Sequence, residues 1–264
     1  MTRENDTRGL LARAAWEFRP AALASSLSIE DMVLADLVAR EALPIEIFVL
    51  DTGRLHGDTL ELVRRVEERY GLQVQVYRPR AQAVADYVAR FGRDGFYRDP
   101  ELRKRCCELR KVEPLRRALA GKGAWITGLR RGQSAGRGDV AAQEYDAVHG
   151  LPKFNPLADW SEEDVWTYIR AHDVPYNRLY DQGYRSIGCA PCTRPVVEGE
   201  DARAGRWWWE EAGKKECGLH VPGQAAVRSS ASHIHLVFSG REIHPAGKGE
   251  TYQKQPRDTA GSGS

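Results

Sequence analysis

Short apolar segments alternate with longer amphipathic ones in the first part of the chain, and this alternation limits the fold more than any other feature of the sequence. The apolar segments have the length and composition of buried strands, and the segments between them have the spacing of helices. Predicted strands cover residues 21–28, 45–50 and 72–77. Strands that alternate with helices form a parallel sheet with helices packed against it. The sequence therefore predicts an α/β fold, a parallel twisted sheet flanked by helices.

Later segments extend the same pattern. The further predicted elements are helices over 81–91 and 101–119, a strand over 124–127 and a helix capped by Ser161. Pro114 is expected to kink the second of these helices. Ligands of open parallel sheets bind beyond the carboxyl ends of the strands. We therefore expect the loops after Leu27, Leu50 and Thr127 to meet in one crevice.

The charge balance and the hydropathy of the chain argue against several classes of partner. Its 39 basic and 37 acidic residues leave a formal net charge of +2, which provides no overall field for nucleic acid or a membrane surface. No stretch approaches the roughly 20 apolar residues that a membrane helix needs. The first residues lack the order of charged, apolar and small residues that marks a signal peptide. We therefore expect a cytoplasmic protein without nucleic-acid or membrane partners.

Four of the five cysteines occur as two pairs. Cys106 and Cys107 are adjacent in the helical stretch KRCCELRK, and Cys189 and Cys192 form a CxxC turn in SIGCAPCTRP. In a reducing compartment, clustered thiols indicate metal binding or catalysis rather than disulfides. Taken singly, an adjacent pair is also consistent with two buried helix residues, and a CxxC turn with a redox dithiol or half of a zinc site. An adjacent pair chelates one small ion poorly but can reach two irons, so the set favours an iron–sulfur cluster over zinc.

The fifth cysteine, Cys217, stands apart in KKECGLH. Neighbouring lysines lower the pKa of a thiol and raise its thiolate fraction, and the flanking glycines suit a mobile segment. A surface cysteine without a function, in a basic tail, is the alternative. The residues after it are rich in Ser, Gly, Lys and His, with one strand-like stretch over 233–238. We therefore predict a main domain over 1–206 and a C-terminal segment over 207–264 that ends in a partly ordered tail.

These cysteine motifs occur together with others that resemble one enzyme family. The shared motifs are SSLSIEDMVL, LDTGRL, KRCCELRK, WITGLRRGQS, FNPLADWSEEDVW, GCAPCTRP and KKECGLH. Through them the chain is similar to the assimilatory adenylylsulfate reductases of the iron–sulfur type, which fall within the wider phosphoadenylylsulfate reductase family. The resemblance implies an adenine nucleotide α-hydrolase-like, Rossmann-like fold. It also implies a [4Fe-4S] cluster on Cys106, Cys107, Cys189 and Cys192.

The resemblance further implies roles for individual residues. Cys217 would be the catalytic nucleophile, with Lys111 and His220 beside the reacting group. The substrate-binding residues carried over from the family are Ser25, Ser26, Asp31, Leu50, Thr52, Gly128, Arg137, Arg203 and Arg206. The phosphate loop departs from the family pattern at Ser28 and Ile29, where a glycine and a small residue are common.

The activity that the resemblance implies is reduction of adenosine 5′-phosphosulfate to sulfite and AMP, through an S-sulfocysteine on Cys217, in sulfate assimilation and cysteine biosynthesis. With the other cysteines held by the cluster, the second thiol would come from thioredoxin or glutaredoxin. Alternatives are a phosphoadenylylsulfate or dual-specificity reductase and a non-catalytic iron–sulfur redox sensor. An ATP pyrophosphatase of the same fold is disfavoured because SSLSIEDM lacks the paired glycines of its pyrophosphate loop. The sequence leaves the oligomeric state open, a homo-oligomer included.

Overall fold

The computed structural model of the protein describes residues 2–134, 137–210 and 219. The helices are α1 (Arg3–Glu17), α2 (Ile29–Arg40), α3 (Gly57–Tyr70), α4 (Ala81–Phe91), α5 (Pro100–Cys107), α6 (Glu113–Leu119) and α7 (Glu162–His172). The strands are β1 (Ala21–Ser25), β2 (Ile45–Leu50), β3 (Gln75–Tyr77), β4 (Ala124–Ile126), β5 (Gln143–Asp146) and β6 (Leu151–Phe154).

The strands form one sheet in the order β3-β2-β1-β4-β6-β5. Neighbouring strands are parallel except β5 and β6, which run antiparallel at one edge. The mostly parallel sheet confirms the prediction from the sequence. The antiparallel edge was not predicted. Its strand β5 has the sequence QEYD, which lacks the apolar alternation by which a half-buried strand is predicted.

Both faces of the sheet are covered, and the residues of β1 alternate between them. Ala21 and Leu23 belong to the larger apolar core, to which α1, α2, α3 and α7 contribute. Ala22 belongs to a smaller core with Phe48, Trp125 and apolar residues of α6. A strand buried on both faces is expected at the centre of a parallel sheet, and β1 lies there between β2 and β4.

The helix α1 has no counterpart among the predicted elements. It begins after Thr2, whose side-chain oxygen accepts a hydrogen bond from the Asn5 N–H at 3.4 Å. Its buried face consists of Thr7, Leu11 and two alanines. Because Leu11 is the only large apolar residue among the buried residues of α1, the helical pattern in the sequence is weak.

A single π-helical turn, Glu108–Val112, joins α5 to α6. Pro114 lacks the N–H that a regular helix would direct to the Arg110 carbonyl, and its ring would collide with that carbonyl. A wider turn accommodates the proline without ending the helix. The predicted kink is therefore a π turn, and it begins directly after the adjacent cysteines.

Three strands are shorter than predicted, and β4 differs least, since it ends at Ile126, one residue before the predicted end. β1 ends at Ser25 because Leu27 has a positive φ of 61°, which an extended strand does not allow. β3 pairs with β2 only over Gln75–Tyr77, so residues 72–74 of the predicted strand lie outside the sheet. The shortening of β1 lengthens the loop that follows this central strand, and the shortening of β3 lengthens the segment that precedes this edge strand.

The chain divides into two compact units, Met1–Ala225 and Ala226–Ser264. The second unit lies outside the described residues, and so does the strand predicted over 233–238. The predicted boundary after Arg206 stays a prediction. In the part of the chain that the structure describes, no helix is both long and apolar enough to cross a membrane.

Candidate functional site

A cavity of about 250 Å³ opens at the carboxyl ends of β1, β2 and β4. The loop after each strand contributes to its wall, through Ser26, Thr52 and Gly128 respectively. The predicted meeting of the three loops is therefore confirmed. β1 and β4 flank the point at which the strand order reverses, where parallel sheets bind their ligands.

The loop between β1 and α2 is fixed by hydrogen bonds within itself. Asp31 Oδ2 accepts hydrogen bonds from the Ser26 N–H at 2.6 Å and from the Ser26 hydroxyl at 2.7 Å. The Ser25 hydroxyl accepts one from the Leu27 N–H at 3.1 Å. Leu27 is the left-handed residue of this loop, whereas Ser28 has a φ of −70°. The position where the family commonly has glycine therefore does not require one here.

Asp31 is a buried carboxyl on the wall of this cavity. Burial raises its pKa from 3.8 to about 6, and the hydrogen bonds from Ser26 oppose the rise. Gly128 packs directly against it: a Cβ at Gly128 would overlap Asp31 Oδ1 and lie 2.9 Å from the Glu30 Cβ. The loop after β4 can therefore approach the loop after β1 only with glycine at this position.

Thr52 connects the loop after β2 to both cysteine pairs. Its buried hydroxyl lies 3.2 Å from Cys189 Sγ and accepts a hydrogen bond from the Arg54 N–H at 3.2 Å. Its carbonyl accepts a hydrogen bond from Arg110 Nη1 at 2.6 Å. Arg110 lies in the π turn that follows Cys107. Thr52 therefore contacts both the CxxC turn and the helical segment that carries the adjacent cysteines.

The wall of the cavity is rich in basic side chains. Its charged residues are Lys111, Arg130, Arg137, Arg185, Arg203 and Arg206, against Glu30, Asp31 and Glu162. Arg130 forms a buried ion pair with Glu30 at 2.8 Å, and Arg185 pairs with Glu162 at 3.2 Å. All four cations predicted from the family lie on this wall. The cavity is therefore suited to an anionic ligand.

Arg206 is fixed in place by its neighbours and only 8% exposed. Its Nη1 lies 3.4 Å from the Ser186 hydroxyl and from the Ile187 carbonyl, and its Cζ lies 4.6 Å from the centroid of the Trp207 ring. A Cβ at Gly188 would lie 2.7 Å from that Cζ. Its Nε is buried without a partner in the described part of the chain, which leaves a donor for a bound anion.

A second, smaller cavity lies between α5 and the CxxC turn, and all four paired cysteines line it. None of the four cysteines forms a disulfide, and no group of three or more His, Cys, Asp or Glu among the described residues is arranged to hold a single metal ion. Burial, and next the neighbouring cysteines, raise the pKa of Cys106 to about 11 and that of Cys192 to about 12. Four thiolates in this cavity would therefore need a positively charged partner.

Two buried donors adjoin the same cavity. Arg110 and Trp207 line it, and Arg110 Nε and Trp207 Nε1 have no hydrogen-bond acceptor among residues 2–134, 137–210 and 219. Buried donors are nearly always paired in proteins. Their position beside the thiols suits a sulfur-rich anionic group bound there.

Lys111 and Cys189 line both cavities. Lys111 follows Cys107 by four residues, is 9% exposed, and lowers the pKa of Cys192 against the larger effect of burial. The two cavities therefore share a wall that carries one thiol and one cation.

The structure brings together every predicted site residue that it describes. The nine predicted substrate-binding residues and Lys111 line the larger cavity, and the four predicted metal ligands line the smaller one. Cys217 and His220 lie outside the described residues, but Leu219 between them lines the larger cavity. The roles of these residues stay predictions.

Sequence reasoning missed three basic residues of the site. Arg110 and Arg130 occur in the motifs KRCCELRK and WITGLRRGQS, so the motifs themselves could have indicated them. Arg185 precedes the CxxC motif and carries no signal of its own.

A model of the phosphoadenosine phosphosulfate reductase domain matches residues 20–195. The chain belongs to this family. The matched range includes all six strands and both cysteine pairs, so the family domain contains most of the two cavities. The family resemblance predicted from the motifs is confirmed.

Relatives in bacteria cover most of the chain. A protein of Allochromatium vinosum named adenosine 5′-phosphosulfate reductase is 57% identical over 232 residues, 88% of this chain and 90% of the relative. Proteins with the same name from Burkholderia cepacia and Neisseria meningitidis are 51% and 56% identical over 228 and 211 residues. These matches cover 85% and 80% of this chain, and 91% and 86% of the relatives.

Solved structures confirm the predicted nucleotide-binding fold. Phosphoadenylyl-sulfate (PAPS) reductase from Candida auris, in a phosphate complex, matches with a TM-score of 0.62 and 27% identity, over 72% of this chain and 90% of that one. FMN adenylyltransferase from Candida glabrata, with FMN and an ATP analogue, matches with a TM-score of 0.51 and 14% identity, over 78% and 71%. The second match shows the fold alone.

Proposed function

We propose that this chain reduces adenosine 5′-phosphosulfate to sulfite and AMP in sulfate assimilation, on the route to cysteine. The observation that carries the proposal is the shared wall, because Lys111 and Cys189 line both the basic cavity and the four-cysteine cavity. A nucleotide with its anionic end at this wall would lie beside the thiols. Relatives named adenosine 5′-phosphosulfate reductase, between 51% and 57% identical, support this substrate.

The loops at the strand ends would bind the nucleotide. Leu50, Thr52 and the Gly128 backbone would hold adenine and ribose, since they form the walls nearest β2 and β4. Ser25, Ser26 and Asp31 would form the phosphate loop. The Leu27 and Ser26 N–H groups are bonded to side chains of the same loop, so this loop is formed before a ligand arrives.

The basic wall would neutralise the reacting end of the substrate. A phosphate joined to a sulfate carries about two negative charges, which repel an approaching thiolate. Lys111, Arg137, Arg203 and Arg206 would offset that repulsion. Cations fixed by packing, as Arg206 is by Gly188 and Trp207, lose little freedom when the ligand binds.

We propose that the four paired cysteines hold a [4Fe-4S] cluster. Four thiolates are the ordinary ligands of such a cluster, and its iron would supply the positive charge that buried thiolates need. Arg110 Nε and Trp207 Nε1 would donate hydrogen bonds to its sulfur atoms. When bound, the cluster would fix both cysteine pairs beside Lys111 and shape the local field.

The reaction would begin at Cys217. Its thiolate attacks the substrate sulfur, so that an S–S bond forms, the S–O bond to the phosphate breaks, and AMP leaves with the electron pair. The sulfo group stays on Cys217 as S-sulfocysteine, and His220 would hydrogen-bond the phosphosulfate. Leu219 on the cavity wall supports a location of both residues near the substrate.

A dithiol reductant would complete the cycle. One of its thiolates attacks Cys217 Sγ and displaces sulfite, and its second thiol resolves the mixed disulfide, so the reductant gives up two electrons and becomes a disulfide. The other cysteines of this chain would be cluster ligands, so the reductant is external, of the thioredoxin or glutaredoxin class. Cysteines held as cluster ligands and a thiol reductant both suit a reducing compartment, so we propose a cytoplasmic location.

Reduction of the 3′-phosphorylated nucleotide is the second candidate. The Candida auris structure, 27% identical, and the family description both name phosphoadenylyl sulfate as the substrate. The higher identity of the adenosine 5′-phosphosulfate reductases favours the nucleotide without the 3′-phosphate.

Sulfite release from each of the two nucleotides, with thioredoxin as reductant, tests the proposal. We expect faster release from adenosine 5′-phosphosulfate, and equal rates would support dual specificity. The variant Cys217→Ser should retain iron and release no sulfite. Purified protein with zinc and no iron would contradict the cluster, and sulfite release by Cys217→Ser at the parent rate would remove the nucleophile assignment.

A further inference from the structure

A buried ion pair that the proposed reaction does not use connects α5 to Glu210. Arg103 donates hydrogen bonds to the two carboxylate oxygens of Glu210, from Nε at 2.8 Å and from Nη2 at 2.9 Å. The two side chains are 1% and 5% exposed. A guanidinium that binds both oxygens fixes the orientation of its partner as well as its distance.

The same pair adjoins Cys107 on α5 and is connected to the CxxC turn through Trp207. Arg103 lies one turn before Cys107 on α5. Burial lowers the pKa of Arg103, but the hydrogen bonds and charge of Glu210, and after them the charge of Cys107 and a hydrogen bond with its thiol, raise that pKa above its usual value. The Arg103 Cζ lies 4.6 Å from the centroid of the Trp207 ring. The Trp207 N–H donates to the Cys192 carbonyl at 3.1 Å, and the Glu210 N–H donates to the Trp207 carbonyl at 2.8 Å.

Stability alone does not account for a pair in this position. Burying two charges costs about as much solvation as their attraction returns, and apolar side chains of similar size are often equally stabilising. What a buried fork of this kind provides is a fixed geometry. Arg194 and Glu200 form a comparable fork, with both contacts at 2.8 Å, on the surface of the same region.

The position of Glu210 also limits how far from α5 the following residues can lie. Cys217 follows it by seven residues, which span at most about 25 Å when fully extended. Fixing Glu210 against α5 therefore limits the volume that the Cys217 thiol can reach. Trp207, three residues earlier, is fixed against the CxxC turn by its N–H bond to Cys192.

We propose that Arg103 and Glu210 are positioning residues, whose buried ion pair fixes the origin of the Cys217 segment against the helix of the adjacent cysteines. The pair acts through Cys217 and does not contact the substrate. This inference rests on the proposed role of Cys217 as the nucleophile.

Single-turnover formation of S-sulfocysteine on Cys217, without reductant and at saturating nucleotide, tests the inference. We compare iron-loaded Glu210→Gln with the parent and with the surface control Glu200→Gln, and we express each rate per iron-containing chain. Glu210→Gln should lower the maximum rate about 10-fold to 100-fold, as for other residues that position a reacting group, and leave the affinity for AMP unchanged. Glu200→Gln should react at the parent rate.

A second variant and a second measurement guard against a folding defect. Arg103→Lys keeps a positive charge beside Cys107 but cannot form the fork, and it should show the same loss of maximum rate. Trypsin cleavage after Lys214 and Lys215 should be faster in both variants than in the parent and in Glu200→Gln.

Two results would overturn the inference: parent rates of Cys217 modification in both variants, or cleavage at the parent rate. Absence of S-sulfocysteine in the parent would instead remove the proposed function. In that case the cleavage comparison still decides whether the pair fixes the segment.

Discussion

Thr52 Oγ1 lies 3.2 Å from Cys189 Sγ, although 137 positions separate the two residues in the sequence. The contact joins the loop after β2, on the nucleotide side, to the CxxC turn. The hydroxyl also accepts a hydrogen bond from the Arg54 N–H, so it stabilises its own loop as well. A single oxygen on the larger cavity therefore contacts a cysteine that lines both cavities.

Thr52→Val removes this hydroxyl at almost constant volume. We expect the free energy of unfolding to fall by about 1–2 kcal/mol, because the partly buried Arg54 N–H loses its acceptor. The KM for adenosine 5′-phosphosulfate should rise about tenfold, since the loop proposed to hold the ribose would shift. Chemical denaturation and steady-state kinetics measure the two effects.

Thr7→Val is the matched control for Thr52→Val. Thr7 is equally buried, and its hydroxyl donates a hydrogen bond to the Pro156 carbonyl and accepts one from Trp160 Nε1. None of these three residues lines either cavity. Thr7→Val should lose similar stability and keep the parent KM. Equal KM changes in both variants would show that stability, not the site, is responsible.

Gly128→Ala adds a methyl group where the structure has no room. The new Cβ would overlap Asp31 Oδ1, so the loops after β1 and β4 must separate. We expect the affinity for AMP, measured by calorimetry, to fall about tenfold or more. Gly57→Ala, at a position with no atom within 4 Å of the added Cβ, should bind AMP like the parent.

Glu30→Gln leaves the buried Arg130 without its counter-charge. Arg130 Nε lies 2.9 Å from Glu30 Oε1, and the side chains are 5% and 6% exposed. Removing one partner of such a pair should lower the free energy of unfolding by about 3–5 kcal/mol. The double variant Glu30→Gln with Arg130→Met also removes the unpaired buried charge, so it should recover most of the lost free energy of unfolding. Glu61→Gln, in a surface pair with Arg64, should change stability little, and a similar change in Glu30→Gln would contradict the argument.

The raised pKa of Asp31 predicts a pH dependence of stability. Folding favours its protonated form, so its contribution is complete below pH 3.8 and is lost as the pH rises through about 6. Between about pH 4 and pH 7, the free energy of unfolding of the parent should fall by about 3 kcal/mol relative to that of Asp31→Asn. Denaturation of both proteins across this range measures the difference, and a constant difference would show that Asp31 keeps its ordinary pKa.

Asp164→Asn should show a pH dependence of stability with the opposite sign. Hydrogen bonds from the backbone and side chain of Ser161 lower the pKa of Asp164. Its contribution is therefore present at neutral pH and lost as the pH falls through the lowered value. The stability of the parent relative to Asp164→Asn should therefore fall in acid, whereas its stability relative to Asp31→Asn should rise there.

The sheet and the meeting of its loops could be predicted because both follow from local periodicity. Ala21 to Leu50 contains two short apolar runs with a helical segment between them, and parallel strands necessarily bring their carboxyl ends to one edge. The polar β5 and the weakly apolar face of α1 lack such a signal. Their places in the fold depend on contacts with distant residues.

The cysteine cavity could be predicted from motifs, whereas the ion pairs around it could not. Arg103 and Glu210 are separated by 107 positions, and Arg130 and Glu30 by 100. With 39 basic and 37 acidic residues, nothing in the sequence selects these partners. Their choice depends on which side chains the finished fold buries together.

The wall that Lys111 and Cys189 share has a thermodynamic consequence. An occupant of one cavity that fixes this wall changes the affinity of the other cavity for its own occupant, and by reciprocity the second changes the first by the same factor. Nucleotide should therefore slow the loss of iron to a chelator to the extent that iron tightens the binding of nucleotide. The supply of metal and the supply of substrate would then both determine what fraction of the protein is able to catalyse the reaction.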